Sequence, residues 1–233
     1  MSLPYHFAFL HGGGQAGWVW DETLAALGRQ MGGAGYRATA FDLPGCGAKQ
    51  WMDVAGLSVS DVAEDFIADL AASGLENCVL VGHSNAGTIL PLVAARRPDL
   101  VRRFVYVSCV APAPGQSVSE LMRPRHGGGY DLRQMFCNDM GEAQAAAFLA
   151  KLGHDRWPTL PALAETDWDY APLAGVAASY VICRQDQALT PEMQEEAATR
   201  FAVQRRVYID AGHQVMNTRP NGLAEILRHE ATN

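Results

Sequence analysis

The sequence is poor in the features that mark several whole classes of protein. Basic residues are outnumbered, 18 Lys and Arg against 25 Asp and Glu in 233 residues, for a formal net charge of −7. Neither a nucleic acid nor an anionic membrane surface is therefore an expected partner. No apolar run approaches the roughly 18 residues of a membrane-spanning helix. Met1 to Leu10 lacks the basic flank and cleavage site of a secretory leader, so none is expected. The five cysteines, at 46, 78, 109, 137 and 183, are odd in number and scattered, which is not the pattern of a disulfide framework. Cys78, Cys109 and Cys183 fall inside strand-like runs, where a free thiol acts as a small apolar filler. A reducing cytoplasm is the simplest setting. No His/Cys cluster has metal-ligand spacing, so neither a metal nor another cofactor is expected.

Hydrophobic residues make up 48% of the chain, enough for one sizeable core and a single domain over residues 1–233. Strand-like runs at His6–Leu10, Tyr36–Phe41, Cys78–Val81, Arg102–Cys109, Ser179–Cys183 and Arg205–Ile209 alternate with helical patterns. The helical patterns are Trp20–Met31, Ser60–Ala72, Thr88–Arg97, Pro191–Phe201 and Gly222–His229. The first helix stops at a glycine-rich run and the third at Pro98-Asp99. Near-continuous apolar strands alternating with helices predict an α/β fold, a mostly parallel sheet with helices on both faces. Ligands of such sheets bind beyond the carboxyl ends of the strands.

Several chemically suggestive residues fall there. Cys78-Val79-Leu80-Val81 runs into Gly82-His83-Ser84-Asn85-Ala86-Gly87, a strand that turns sharply into a helix at a serine. Small residues flank the serine because the turn leaves no room for larger ones, and the geometry lifts Ser84 Oγ clear of the sheet at the positive end of the next helix. The same residues would also suit an ordinary turn with a capping serine. A serine hydroxyl is a poor nucleophile unaided, so a base and an orienting acid are required elsewhere.

His11-Gly12-Gly13-Gly14 follows the first strand. Three glycines allow close backbone approach, and Gly13 N–H with Asn85 N–H would form an oxyanion hole. A flexible turn or a phosphate loop is the plainer alternative, but the glycine spacing of a dinucleotide fingerprint and the Lys-Ser/Thr of a phosphate loop are missing. His11 itself reads as a structural hydrogen-bonding residue. His213, in Asp210-Ala211-Gly212-His213 after the last strand, is the candidate base. His83 points elsewhere in a tight elbow, His6 starts a strand, His126 sits in a glycine-rich loop, and His154 and His229 look like surface helix residues. In the order Ser, acid, His, Asp186 lies on the loop after the penultimate strand. Asp210 is only three residues from His213 and reads as a turn or loop-fixing residue, while Asp167 and Asp169 belong to the interval before that strand.

Together these residues resemble the α/β-hydrolase fold family. Phe9-Leu10-His11-Gly12-Gly13-Gly14 with Gly17-Trp18, Leu80-Val81-Gly82-His83-Ser84, and Gly212-His213 with Met216 and Pro220 are similar to a small-cap branch. That branch contains plant methyl esterases, hydroxynitrile lyases and bacterial pyrethroid-type carboxylesterases. The likeness runs from about residue 6 to 229 and is weakest over about 111–172. It implies Ser84, Asp186 and His213 as the triad. Ala86 stands where many relatives have a second glycine, a departure small enough to leave the serine undisturbed. The resemblance also implies ester hydrolysis over cyanohydrin cleavage. The lyases use a lysine soon after the histidine and a hydroxyl residue in the oxyanion loop, where this chain has Gln214 and Gly13.

Residues 111–172 break the alternation and read as a cap insertion over the carboxyl edge. Arg125-His126-Gly127-Gly128-Gly129 within it looks mobile, and Gly141–Leu152 reads as a helix. Met122, Met135, Phe136, Phe148, Leu149, Trp157, Leu160 and Trp168 would supply either an apolar substrate wall or the core of the cap itself, and Trp18 carries the same ambiguity. The expected substrate contacts are Gly14, Trp18, Met122, Phe136, Trp157 and Met216. The expected partner is a small ester with apolar groups, with room for a homodimer. A non-hydrolytic receptor on the same scaffold is the contrasting reading.

Overall fold

A computed structural model describes residues 5–32, 35–123 and 131–232. The glycine-rich segment around His126 lies outside the described residues. Strand β1 (Tyr5–Leu10) leads through a 3-10 turn (Gly17–Trp20) into helix α1 (Asp21–Met31), and β2 (Tyr36–Phe41) is followed by α2 (Val59–Ala72). Helix α2 starts where Ser58 accepts the Asp61 N–H and Asp61 accepts the Ser58 N–H, a reciprocal cap that satisfies two helix-end donors. Then come β3 (Cys78–His83), α3 (Leu90–Arg96) and β4 (Val101–Val107). The chain returns to the sheet at β5 (Ala178–Cys183), then continues through α8 (Pro191–Arg200), β6 (Arg205–Ile209), α9 (Val215–Thr218) and α10 (Pro220–Thr232). Between β4 and β5 lie the short helices α4 (Val118–Leu121), α5 (Leu132–Cys137), α6 (Glu142–Leu149) and α7 (Leu160–Leu163).

The six strands pair in the order β2-β1-β3-β4-β5-β6, every pair parallel. Successive side chains of a strand point to opposite faces, and both faces here are covered. Phe7, Phe9, Val79, Val81, Val105 and Val107 pack with Leu27 of α1 and Leu223 and Leu227 of α10. Ala8, Leu10, Leu80, Phe104, Tyr106 and Tyr180 pack on the other face with Phe66 of α2, Val93 of α3 and Ala197 of α8. Double coverage is why the central strands are apolar at nearly every position. Each fully buried Phe, Leu or Val adds roughly 1.5–3 kcal/mol.

Among the boundaries that differ from the sequence expectation, two concern the elbow and the cap. The helix after the elbow begins as a 3-10 turn (Ser84–Thr88), and regular α-helix starts only at Leu90. Pro91, which lacks an N–H, stands in its first turn. In the interval between β4 and β5, only Glu142–Leu149 of the expected Gly141–Leu152 is helical. Because β1 pairs with both β2 and β3, the strand order reverses there. The crevice of this sheet opens beyond the carboxyl ends of β1 and β3.

Candidate active site

The turn after β3 holds Ser84 at φ +52°, a left-handed conformation costly for any residue with a Cβ. Its surroundings explain the small residues. A Cβ on Gly82 would lie 2.6 Å from Leu90 Cδ1, and one on Gly87 would lie 2.1 Å from the Val110 carbonyl oxygen. Only glycine lets the incoming strand, the outgoing helix and the turn after β4 close on one another. Val110 N–H in return donates to the Ser84 carbonyl (3.0 Å). The Ser84 side chain stands at the open end of the turn, with Oγ 3.0 Å from His213 Nε2.

His213 follows β6 and is fully buried. Its Nδ1 lies 2.7 Å from Asp186 Oδ2, so Nδ1 donates to the carboxylate while Nε2 is left as acceptor for the serine hydroxyl. Asp186, on the loop after β5, accepts Ala188 and Leu189 N–H groups at Oδ1 (2.8 and 2.9 Å). At Oδ2 it also accepts the Ser108 hydroxyl (2.5 Å). The buried carboxylate is thus surrounded by donors, as burial of an anion requires. His83 lies beneath, ring to ring with His213 at 4.6 Å, and its Nε2–H donates to the His213 carbonyl (3.0 Å). Burial, followed by the neighbouring His213, holds the His83 imidazole well below the ordinary histidine range, so it serves as a neutral prop.

The glycine loop after β1 abuts the elbow. A Cβ on Gly12 would sit 2.9 Å from Ser84 Cβ, and one on Gly13 would sit 2.7 Å from Pro158 Cδ and 3.9 Å from Asn85 Cβ. Leu43 N–H donates to His11 Nε2 (3.2 Å), which leaves the His11 proton on Nδ1 for the Gly12 carbonyl (2.8 Å). Burial lowers the His11 pKa, keeping that neutral tautomer. The bond fixes the Gly12–Gly13 peptide plane and with it the Gly13 N–H, which no acceptor takes among the described residues.

The segment between β4 and β5 packs over these loops. Phe136 lies 5.3 Å from the His213 ring, centroid to centroid. Asn138 donates to the Gln185 carbonyl (2.8 Å), and Asp139 accepts the Gly212 N–H (2.9 Å). Met122 is half-buried against Val110, Val118, Leu189 and Met193. Three expected substrate contacts are corrected. Gly14 donates its N–H to the Trp157 carbonyl and accepts the Gly153 N–H at its own carbonyl, so its peptide groups are occupied by the cap. Trp157 is 1% exposed within the core. Met216 is fully buried with Phe9 and Trp20 on the far face of the sheet. Trp18 is half-buried, with its Nε1 donating to Asp155 (3.3 Å) and its ring against Phe148 and Lys151. Asp210 pairs at the surface with Arg184 (3.2 Å).

Ser108 and Asp139 escaped the sequence reading. Ser108 follows the carboxyl end of β4 as His11, Ser84, Asp186 and His213 follow the ends of theirs, but the expected strand Arg102–Cys109 enclosed it, whereas β4 ends at Val107. Asp139 carries no local signal. Among the described residues no helix is long and apolar enough to cross a membrane, and no cluster of three or more His, Cys, Asp or Glu could hold a metal ion.

Residues 7–226 match the alpha/beta hydrolase family. Esterase PIR7B of Oryza sativa subsp. japonica is 30% identical, over 97% of this chain and 95% of its own. Probable esterase PIR7A of Oryza sativa subsp. indica is 36% identical over 51% of this chain and 45% of its own. The chain thus spans about half the length of several curated relatives it matches. Among solved structures, an extracellular alpha/beta-hydrolase from a Paenibacillus species superposes with a TM-score of 0.81. It is 22% identical and covers 99% of this chain and 100% of its own. A pyrethroid hydrolase from Sphingobium faniae JZ-2 gives 0.74 at 19% identity, covering 98% of this chain and 97% of its own. With a parallel sheet, a serine at the sharp turn after β3 and a histidine and an aspartate beside it, this chain belongs to the alpha/beta hydrolase family.

Proposed function

We propose that the protein is a carboxylesterase-type serine hydrolase (EC 3.1.1 class) that cleaves small to medium esters with apolar groups. In this reading residues 1–233 work as one catalytic domain, with residues 111–172 as its cap. The observation that carries the proposal is the unbroken chain from Ser84 Oγ to His213 Nε2 (3.0 Å) and from His213 Nδ1 to Asp186 Oδ2 (2.7 Å). His213 takes the Ser84 proton as Oγ attacks the ester carbonyl, and Asp186 stabilises the imidazolium. The Gly13 and Asn85 N–H groups hold the oxyanion, each worth about 2.7–4 kcal/mol in comparable sites. Collapse of the tetrahedral adduct breaks the C–O bond, and His213 passes its proton to the leaving alcohol. Water, deprotonated by His213, then attacks the acyl-serine, and collapse releases the acid and restores Ser84.

Relatives called esterases and methylesterases support this class of reaction. The Phe136 ring over His213 and the apolar surroundings of Met122 favour an apolar substituent beside the scissile bond. A lyase is disfavoured by the loop itself, because a side chain at position 12 or 13 would collide with Ser84 or Pro158.

A panel of p-nitrophenyl esters, combined with a serine-directed organophosphonate, tests the proposal. Rapid turnover with stoichiometric labelling at Ser84, both lost in Ser84→Ala, is the expected result. Ligand affinity with neither turnover nor labelling would overturn it in favour of a receptor.

A further inference from the structure

The turn after β4 reaches two members of the triad at once. Ser108 follows Val107, the last residue of β4, whose backbone partner is His83, and the turn holds Ser108 at φ +43°. That left-handed conformation is unusual for serine and sends its hydroxyl into the space between the acid and the base. Ser108 Oγ lies 2.5 Å from Asp186 Oδ2 and 3.3 Å from His213 Nδ1, and the residue is fully buried. Two residues on, Val110 N–H holds the Ser84 carbonyl. Ser108 N–H itself is anchored on the Val181 carbonyl of β5 (3.2 Å). The hydroxyl therefore sits on a strand end fixed to the strands that carry both the nucleophile and the acid.

We propose that Ser108 is a positioning residue of the reaction, whose hydroxyl holds Asp186 Oδ2 in the orientation that receives His213 and moderates the charge this oxygen presents. The inference rests on the catalytic reading of Ser84, Asp186 and His213. Oδ2 has two close donors, Ser108 Oγ–H and His213 Nδ1–H, with Gln194 Nε2 more distant at 3.5 Å. A carboxylate oxygen relieved of one close donor interacts more strongly with the other. Without the hydroxyl, the imidazolium is overstabilised and the base keeps its proton to higher pH.

The other titratable groups around the pair are accounted for. His83 from β3 and His11 just after β1 are neutral, their pKa values lowered by burial. Cys109, Tyr180 and Cys183 carry pKa values raised by burial and stay protonated. Asp139 from the cap binds the Gly212 N–H, with Arg219, just after α9, 3.8 Å from that carboxylate. None of these bonds to the His213 ring.

The test measures kcat and KM against pH on p-nitrophenyl esters for the wild type, Ser108→Ala and Ser108→Gly. The rate of phosphonylation is followed in parallel. Both variants lack the hydroxyl, but glycine also relieves the left-handed backbone, so it folds where alanine could fail. The expected result is an acid limb of kcat/KM displaced upward by about 0.5–1 pH unit in each variant. Plateau kcat falls by about 3–30-fold with KM little changed. Profiles that superimpose on the wild type would overturn the proposal. So would a glycine variant that recovers wild-type behaviour while alanine does not, since that outcome assigns the effect to backbone strain. A wild-type protein that is not phosphonylated at Ser84 would instead remove the triad reading beneath it, a result distinct from unchanged profiles in a labelled enzyme.

Discussion

Ser84 Oγ and His213 Nε2 lie 3.0 Å apart although 129 positions separate them in the chain. The distance is set by the backbone more than by the side chains. The left-handed turn at Ser84 lifts Oγ outward, and the His83 and Asp139 bonds fix the peptide groups on either side of the His213 nitrogen.

The strained serine gives a first prediction. Ser84→Ala and Ser84→Gly both remove the hydroxyl, and both are expected to lower kcat by roughly 10⁴–10⁶ with the fold intact. They differ at the backbone, because glycine has no Cβ to clash at φ +52°. Ser84→Gly is therefore expected to be more stable than Ser84→Ala by about 1 kcal/mol, read from urea midpoints. Equal midpoints would show that the turn stores no strain.

The oxyanion loop gives a second. A methyl at position 13 meets Pro158 Cδ at 2.7 Å, so Gly13→Ala must displace either the loop or the cap. Moving one oxyanion donor costs kcat about 10²–10³-fold while substrate affinity stays near normal. Steady-state kinetics separate the two, and a change confined to KM would argue against Gly13 as a donor.

The cap clamp gives a third. Asp139→Ala leaves the Gly212 N–H without its acceptor at a part-buried position, a loss of about 1–3 kcal/mol, and frees the loop one residue before the base. Turnover is expected to fall by about an order of magnitude, with hydrogen exchange at Gly212 accelerated. Unchanged exchange would show that the cap does not hold that loop.

Acid stability gives a fourth. His83 and His11 are fully buried and their pKa values are depressed, chiefly by burial. The unfolded chain takes up protons near the ordinary value of about 6.5, whereas the folded chain does so only at lower pH. Their contribution is therefore whole above about pH 6.5 and is lost as the pH falls below it, by up to about 1.4 kcal/mol per pH unit for each group. Thermal melts from pH 8 to 5 should show Tm falling below about pH 6.5, with a shallower slope in His83→Gln. A slope unchanged by that substitution would remove His83 from the account.

Much of the architecture was legible because it has a local cause. The central strands, covered on both faces, must be apolar at successive positions; the edge strands β2 and β6 match their expected bounds, and the remaining strands differ by one or two residues at one end or, in β4, at both. The elbow glycines were readable because each meets its neighbours at a distance no Cβ survives. The four-residue helices Val118–Leu121, Leu160–Leu163 and Val215–Thr218 were not, being a single turn each with no periodicity to detect. Gly14, Trp157 and Met216 were misjudged because a glycine, an aromatic or a methionine near a site motif looks the same whether it faces a ligand or packs inward.

The residues themselves determined a parallel α/β sheet, a serine at a sharp turn, and loops at strand ends able to carry a base and an acid. These follow from backbone sterics and from burial on two faces, which act over a few residues at a time. Only the tertiary structure decided that Asp139 grips the Gly212 N–H, that Ser108 shares Asp186 Oδ2 with His213, and that Gly14 belongs to the cap. Those contacts join segments 27 to 143 residues apart, and their geometry depends on how the whole sheet and its covering packs, which no local pattern records.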